Sequence, residues 1–332
     1  MAPSNCCDFS VSMSSIAFAA VNIPVSIVCF CMNIFFVFCM IFPQQGTDQL
    51  KQPLNVLLGS LVGYNTTLQA CVFLFAMMEN DIFTVSDICY AVIIECICFA
   101  MRTSVTSILW LNVFYYCQIV PAQHPPFIWM KKNIRVFIYS ALIMDKFFFM
   151  FEFSLGIAYR ATYREFDEYN AETNFNTTHL QWYAVIHKKL DTVSDVLYAD
   201  TWIRLAYFLL CLFVMSASSC ATVLYLQRHM KSMEESSRSF SSPRLQKQMR
   251  VTITGSIQAL LYFLCSTWLL VRELLVFVFY LEIDLNGHLF CTVACLYSLG
   301  ITINLSVGQT VFRQQVIHVL QICLQTLKLG SI

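Results

Sequence analysis

Eight ionisable side chains interrupt long apolar stretches of this chain, and their types allow chemistry inside a membrane. They are Glu95, Arg102, Asp145, Lys146, Glu152, Arg204, Arg272 and Glu273. A charged group in hydrocarbon is costly, so each of them must face other protein or water. Three roles are open to such groups: pairing between helices, contact with a ligand, or passage of protons through the membrane.

Glu95 and Arg102 share one apolar stretch, residues 87–120. As a helix this stretch is roughly 50 Å long, which is enough to cross a bilayer at a tilt. The spacing of the two side chains places them on nearly the same face, two turns apart. Because such charges need protein around them, we expect this helix at the centre of a bundle. Pairing between the two and contact with a ligand both stay open.

The ionisable residues lie mostly at mid-depth or toward one end of their stretches. This gradient indicates a wetted cavity that opens at that end, although pairing between helices explains any one residue equally well. Asp145 and Lys146 are neighbours and cannot share a helix face, so at least one needs a partner on another helix. Trp268 is a candidate cavity wall, although a single aromatic on a membrane helix more often packs.

The sequence lacks the residue patterns of catalysis and metal binding. It contains no HExxH, no GxSxG, no phosphate-binding glycine-rich loop and no CxxC pair. The sixteen cysteines fall mostly in apolar stretches, where small buried hydrophobic residues are expected. We therefore expect neither an enzyme nor a bound cofactor or metal. A proton-coupled transporter or channel that uses Glu95, Asp145 and Glu152 is an alternative, although the two related halves typical of transporters are not evident.

The composition indicates a membrane protein with several spans. Of 332 residues, 58% are hydrophobic and 12% are charged, and the mean hydropathy is +0.64. A typical soluble domain is about 25% charged. The formal net charge is zero, and no basic tract suggests a nucleic-acid partner. The apolar stretches that predict membrane spans are residues 14–42, 54–78, 88–120, 134–157, 202–226, 251–281 and 289–308.

The basic residues predict how the chain is threaded. Twelve Lys and Arg residues fall in one set of connecting segments and four in the other, all four within residues 158–200. Cytoplasmic segments carry the basic excess, so we expect a plasma-membrane protein with its N-terminus outside and its C-terminus inside. The expected fold class is an all-α, seven-transmembrane-helix bundle, as in a G-protein-coupled receptor, with a short amphipathic C-terminal helix.

Residues 1–308 are expected to form the receptor domain, and residues 309–332 a cytoplasmic helix and tail. In the tail, apolar residues recur at helical spacing, which predicts an amphipathic helix on the inner leaflet. They are Phe312, Val316, Val319, Leu320, Cys323 and Leu327. Asn176 begins the sequon Asn-Thr-Thr in the long outer segment, where we expect glycosylation.

Basic residues also surround the predicted inner ends of the fifth and sixth spans. They are Arg228, His229, Lys231, Lys247 and Arg250. The general excess of basic residues on the inside explains most of them. The functional interpretation is a basic rim that docks a cytosolic partner, which inserts a helix when the two spans separate.

Several segments near the predicted inner ends resemble motifs of the type 2 taste (bitter) receptors. Residues 111–119 (LNVFYYCQI) are similar to the family's LSxFYxLKI, and residues 226–233 (LQRHMKSM) to its LWKHxxQM. Residues 129–134 (WMKKNI) resemble its second inner loop. Residues 242–250 (SPRLQKQMR) and 308–314 (GQTVFRQ) match DPSxxAHxR and GNxKLKQ loosely. The DRY, CWxP and NPxxY motifs of rhodopsin-like receptors are missing.

Two positions depart from the family pattern. Tyr64 stands where the family usually has an arginine, and Ile301 where it has a histidine. The sequence therefore resembles a divergent member, and the neighbouring vomeronasal type 1 receptors, which sense pheromones, are an alternative.

The resemblance implies a receptor that binds a small organic bitter ligand among the third, fifth, sixth and seventh spans. Alignment on Tyr115 places Ile97, Cys98 and Met101 on the ligand-facing side of the third span. Met101 stands where an asparagine is frequent, so a polar anchor is expected at Arg102 or Glu95 instead. The expected ligand-binding residues are Glu95, Ile97, Cys98, Met101, Arg102, Trp268 and Arg272.

The resemblance also implies activation of a gustducin-like heterotrimeric G protein at the inner face. The expected contacts with that partner are Tyr115, Arg228, His229, Lys231 and Arg250.

Overall fold

A computed structural model of the chain describes residues 13–42, 53–80, 82, 86–121, 125–171, 177–235, 243–279, 284, 287–309, 312–317, 321 and 325. All regular structure within these ranges is α-helical. The helices are α1 (Ser15–Ile41), α2 (Leu54–Glu79), α3 (Asp87–Ile119), α4 (Pro125–Lys132), α5 (Ile134–Ala171), α6 (Thr177–Glu235), α7 (Pro243–Phe279) and α8 (His288–Gly308).

Local chemistry explains where several helices begin. The Ser14 hydroxyl caps α1 by accepting a hydrogen bond from the backbone N–H of Ala17 at 3.3 Å. α4 begins at Pro125, a residue favoured at the first helical position. α8 follows Gly287, whose φ of 69° suits glycine, and the Asp284 carboxylate accepts a hydrogen bond from the N–H of Phe290 at 2.8 Å.

Six of the helices are long and apolar enough to cross a membrane, within α1, α2, α3, α6, α7 and α8. Four of them, α1, α2, α3 and α8, begin and end within one residue of the predicted stretches. The fourth predicted stretch lies on α5, which is not among these six helices. That stretch carries four charged residues, Arg135, Asp145, Lys146 and Glu152. The chain is therefore a multi-pass, all-helical membrane protein.

Much of the long outer segment between the fourth and fifth predicted stretches is helical. α5 continues to Ala171 and α6 begins at Thr177, so both helices extend beyond their apolar parts. No glycine or proline occurs within residues 158–200, so each of the two helices can continue beyond its apolar part. We call residues 158–171 and 177–200 the helical hairpin. Ile186 and Thr162 are buried. The two arms contact each other through the rings of Phe166 and His187, with 6.0 Å between centroids, and through an ion pair, Lys189 Nζ to Glu165 Oε2 at 3.3 Å.

α3 occupies the centre of the bundle, as expected. It contacts α2, α5, α6, α7 and α8, while α1 packs against α2 and α8 at the periphery. Small residues allow close approach of neighbouring helices: a Cβ at Gly300 of α8 would lie 3.0 Å from the Leu261 side chain of α7. This arrangement places one face of α3 next to α5, α6 and α7.

The end of the bundle that carries the helical hairpin is called the hairpin end. There the imidazole of His288 lies 2.8 Å from the Glu79 carboxylate and 2.7 Å from the Met13 carbonyl oxygen. The same ring stacks on Phe18 with 4.7 Å between centroids. These contacts join the ends of α1, α2 and α8.

The opposite end is closed by contacts among α3, α7 and α8. The Gln309 amide donates a hydrogen bond to the Tyr115 hydroxyl at 2.6 Å, and the Asn304 amide donates to the Thr254 carbonyl at 2.9 Å. Residues 312–317 are helical, and buried Phe312 stacks on Phe36 with 4.4 Å between centroids. Val316 is half-buried. The rest of the predicted apolar stripe lies outside the described residues: Val319, Leu320, Cys323 and Leu327.

Candidate functional site

A cavity lies between α3, α5, α6 and α7, at mid-depth and toward the hairpin end. Counted with its open mouth and the solvent space there, it encloses about 950 Å³. Most of its lining is apolar or aromatic. The lining residues are Met101, Arg102, Val105, Phe148, Phe149, Tyr198, Thr201, Trp202, Arg204, Leu205, Tyr207, Phe208, Tyr262, Cys265, Ser266, Leu269, Leu270 and Leu274.

Two arginines of this lining belong to a network that we call the charged cluster, formed by Arg102, Glu152, Asp200 and Arg204. Glu152 of α5 pairs with Arg102 of α3 and, at 3.4 Å, with Nε of Arg204 on α6. The same Nε lies 3.1 Å from Asp200, one turn earlier on α6. The cluster therefore joins three helices inside the bundle.

The guanidinium and carboxylate groups of the charged cluster differ in exposure. The carboxylates are almost fully buried, with side-chain exposures of 4% for Glu152 and 6% for Asp200. The Arg102 and Arg204 side chains are 22% and 16% exposed, and both line the cavity. The formal charges of the four groups cancel, but of the four only the two arginines line the cavity.

A second polar contact lies next to the cluster. The Tyr207 hydroxyl of α6 donates a hydrogen bond to the Asp145 carboxylate of α5 at 3.1 Å, and lies 2.9 Å from the Thr106 hydroxyl of α3. Asp145 thus has the partner on another helix that the sequence requires. Its neighbour Lys146 points elsewhere, with its amine 5.7 Å from the ring centroid of Tyr64 on α2.

Glu95 lies nearer the hairpin end and outside the cavity lining. Its Oε1 accepts from Nε of Arg160 on α5 at 3.1 Å and lies 3.0 Å from Nη2. Gly156 makes this approach possible, because a Cβ there would lie 2.7 Å from the Glu95 carboxyl carbon. Glu95 and Arg102 therefore each pair with a residue of α5, through two separate ion pairs.

Of the other expected ligand-binding residues, only Met101 lines the cavity. Ile97 is fully buried in the helix core, and half-buried Cys98 packs against that core. Trp268 is half-buried, and its indole N–H has no hydrogen-bond partner among the described residues. The Arg272 guanidinium lies 4.9 Å from the ring centroid of Phe290.

The expected G-protein contacts lie at the opposite end. Arg228, His229 and Lys231 are exposed near the end of α6, and Arg250 is half-buried on α7. Tyr115 is half-buried and accepts the Gln309 hydrogen bond. The expected glycosylation site, Asn176, lies outside the described residues.

The aromatic lining from α5 and α6 was missed by reasoning from sequence, because its residue types are common in every apolar stretch. These residues are Phe148, Phe149, Tyr198, Trp202, Tyr207 and Phe208. Arg204 carried a usable signal, since a lone arginine in a span must face protein or water. Together with Glu152, a charged residue in the preceding predicted span, this signal would have suggested an ion pair between Glu152 and Arg204.

Comparison with protein families identifies the class to which this fold and site belong. The model of the taste receptor protein family (TAS2R) matches residues 10–324, nearly the whole chain. The chain therefore belongs to the type 2 taste receptor family, whose members are G-protein-coupled receptors for bitter compounds and not enzymes. Comparison with individual curated proteins found no match. The family match favours a taste receptor over the vomeronasal and transporter alternatives.

Proposed function

We propose that the chain is a seven-span bitter taste receptor of the plasma membrane that binds a small organic ligand in the cavity among α3, α5, α6 and α7. The observation that carries this proposal is the cavity itself. It lies between four helices and has a mostly apolar lining with two arginines that can orient a ligand. Met101 and Arg102 are the expected ligand-binding residues that contribute to it.

α5 is the fourth of the seven spans in this proposal. Its 38 residues are long enough to cross a bilayer, and its Asp145 and Glu152 contact α3 or α6 rather than facing outward. Exposed Lys146 lies over the Tyr64 ring of α2, and the large apolar side chains exposed on α5 are suited to contact with lipid. They are Val136, Ile143, Met144, Phe147, Met150 and Phe151. Residues 1–308 then form the receptor domain, and residues 309–332 the cytoplasmic segment.

The hairpin end faces outward and the opposite end faces the cytosol, where a gustducin-like heterotrimeric G protein binds. Arg228, His229 and Lys231 are exposed for such a contact on α6. Arg250 of α7 and Tyr115 of α3 take part when the hydrogen bond from Gln309 to Tyr115 opens and α6 and α7 separate. A partner helix then occupies the gap.

Ligand binding is tested by calcium release in cells that express the receptor with a promiscuous G protein. A panel of small bitter compounds is expected to contain activators, and Arg102→Ala is expected to change their half-maximal concentration. A panel without any activator, measured on receptor that reaches the cell surface, would contradict the proposed function.

G-protein coupling is tested with Arg228→Ala and Lys231→Ala, singly and combined. We expect a smaller maximal response with unchanged ligand binding, because these residues lie far from the cavity. Lys188→Ala is the matched control, since Lys188 is an exposed basic residue on the hairpin arm of the same helix. Unchanged signalling in the double variant would exclude the basic residues of α6 as coupling residues.

A further inference from the structure

Two arginines, Arg102 and Arg204, line the cavity, while the carboxylates that balance them lie outside its lining. We propose that the ligands of this receptor carry an acidic group, a carboxylate or sulfonate, on an apolar body. This inference rests on the proposed function, because it assumes that the cavity is the ligand site. It adds the chemical class of the ligand and the residues that recognise it.

The arrangement of charges favours an anion over a cation or a neutral molecule. Arg102 and Arg204 line the cavity, whereas Glu152 and Asp200 do not. An acidic group in the cavity therefore lies nearer to the positive charges than to the negative ones. Charges interact more strongly in a partly desolvated cavity than in water. The shorter distance to the arginines therefore favours binding of an anion.

A guanidinium group can bind two carboxylates at once, one at each of two edges. It has five N–H donors in one plane, so one edge can bind a buried carboxylate while another faces a ligand. Nε of Arg204 lies 3.4 Å from Glu152 and 3.1 Å from Asp200. Nη2 of the same side chain donates a hydrogen bond to the Thr201 hydroxyl at 2.8 Å. These contacts fix the group on α6, so a ligand meets a preorganised arginine and little side-chain freedom is lost on binding.

The remainder of the cavity fits an apolar, preferably aromatic, body. Phe148 and Phe149 of α5, Tyr198, Trp202 and Phe208 of α6, and Tyr262 of α7 contribute to the lining. Aromatic walls stack on flat apolar ligands. Arylcarboxylic acids and medium-chain fatty acids share this chemistry, the first as dissolved compounds and the second by partition from the bilayer.

The experiment compares matched acids and neutral derivatives in the calcium assay. The probes are naphthoate, diphenylacetate and dodecanoate, each beside its methyl ester and primary amide, with naphthylmethylamine as the cation. We expect at least one acid to activate at a half-maximal concentration about tenfold or more below that of its ester and amide, and the amine to be inactive. Activation by naphthoate or diphenylacetate identifies dissolved acids, and activation by dodecanoate alone identifies acids from the bilayer.

Variants assign the preference to the arginines. Arg204→Gln is expected to bring the ratio of acid to ester potency close to one, and Arg204→Lys to retain part of it. Arg160→Gln is the matched control, because Arg160 also pairs with a carboxylate but lies outside the cavity lining; it is expected to keep the ratio. If Arg204→Gln does not reach the surface, the wild-type ratios and Arg204→Lys decide.

Two results would overturn the acidic ligand class, and they differ in whether the proposed function survives. Esters or amides that activate as well as their acids would overturn the acidic ligand class and leave the proposed function intact. Silence toward the acids and toward the wider bitter panel, on receptor present at the surface, would overturn both.

Discussion

Glu152 is the residue on which the charged cluster depends. Its carboxylate contacts Arg102 from α3 and Arg204 from α6, and its side chain is almost fully buried. Removing one member of a buried ion pair costs much more than removing an exposed one, because the remaining charges are then less well balanced. The same carboxylate holds both arginines in the orientation in which they line the cavity. In the proposed function, stability and ligand recognition therefore both depend on this side chain.

Glu152→Gln is expected to lower the free energy of unfolding by about 3 kcal/mol or more, because both arginines lose their shared carboxylate. The measurement is the midpoint of thermal unfolding of the purified receptor in detergent. Glu165→Gln is the control: its partner Lys189 is exposed on the helical hairpin, and loss of such a pair costs about 1 kcal/mol or less. Equal shifts for the two variants would show that the cluster does not stabilise the fold.

At the scale of helices, the contact between α7 and α8 at the opposite end is unusually close. Gly308 ends α8, and a Cβ there would lie 2.8 Å from the Thr254 Cβ and nearer still to its hydroxyl and methyl groups. Thr254 is short and β-branched, so it cannot turn away from an added methyl group. The adjoining hydrogen bond from Asn304 to the Thr254 carbonyl depends on the same approach.

Gly308→Ala is expected to force the ends of α7 and α8 apart and to lower the unfolding midpoint, with a cost of about 1–3 kcal/mol typical of overpacking. Gly63→Ala is the matched control, because a Cβ at Gly63 of α2 would have no heavy atom within 4 Å. That change is expected to keep or raise stability, since alanine forms helices better than glycine. A Gly308→Ala receptor as stable as Gly63→Ala would contradict close packing at this contact.

At the scale of the whole molecule, the two ends of the bundle differ in construction. The hairpin end carries long helical arms, α6 alone being about 90 Å long over its 59 residues, and the cavity lies toward it. The opposite end is closed by the contacts from Gln309 to Tyr115 and from Asn304 to Thr254, and carries exposed basic residues. The proposed function, in which the ligand enters from outside and the G protein binds inside, requires such an asymmetry.

The proposed orientation predicts glycosylation of Asn176, which is tested by the electrophoretic mobility of the expressed receptor. A shift on treatment with an N-glycosidase is expected for the wild type and is expected to disappear in both Asn176→Gln and Thr178→Ala. Asn65→Gln, which removes a sequon whose asparagine is fully buried, is expected to keep the shift. Staining of a C-terminal epitope tag on intact cells, without permeabilisation, would show that the C-terminus lies outside and would contradict the proposed orientation.

Much of the helical architecture is predictable from sequence, because hydrocarbon admits only stretches that satisfy their own backbone and expose apolar side chains. That constraint sets the ends of α1, α2, α3 and α8 to within one residue. It fails for the helical hairpin, because the polar sequence of the two arms carries no hydropathy signal. Here the two arms contact each other through Phe166 and His187 and through Glu165 and Lys189, and hydropathy does not report such contacts.

The sequence by itself determined the membrane class, the taste receptor family, the central position of α3 and the need of Glu95 and Arg102 for protein around them. Only the tertiary structure decided their partners, Arg160 for Glu95 and Glu152 for Arg102, and brought Arg204 into the same cavity. The physical reason is that pairing inside a bundle depends on the rotation and relative depth of neighbouring helices. Those quantities arise from the packing of all helices together, and no local pattern of residues encodes them.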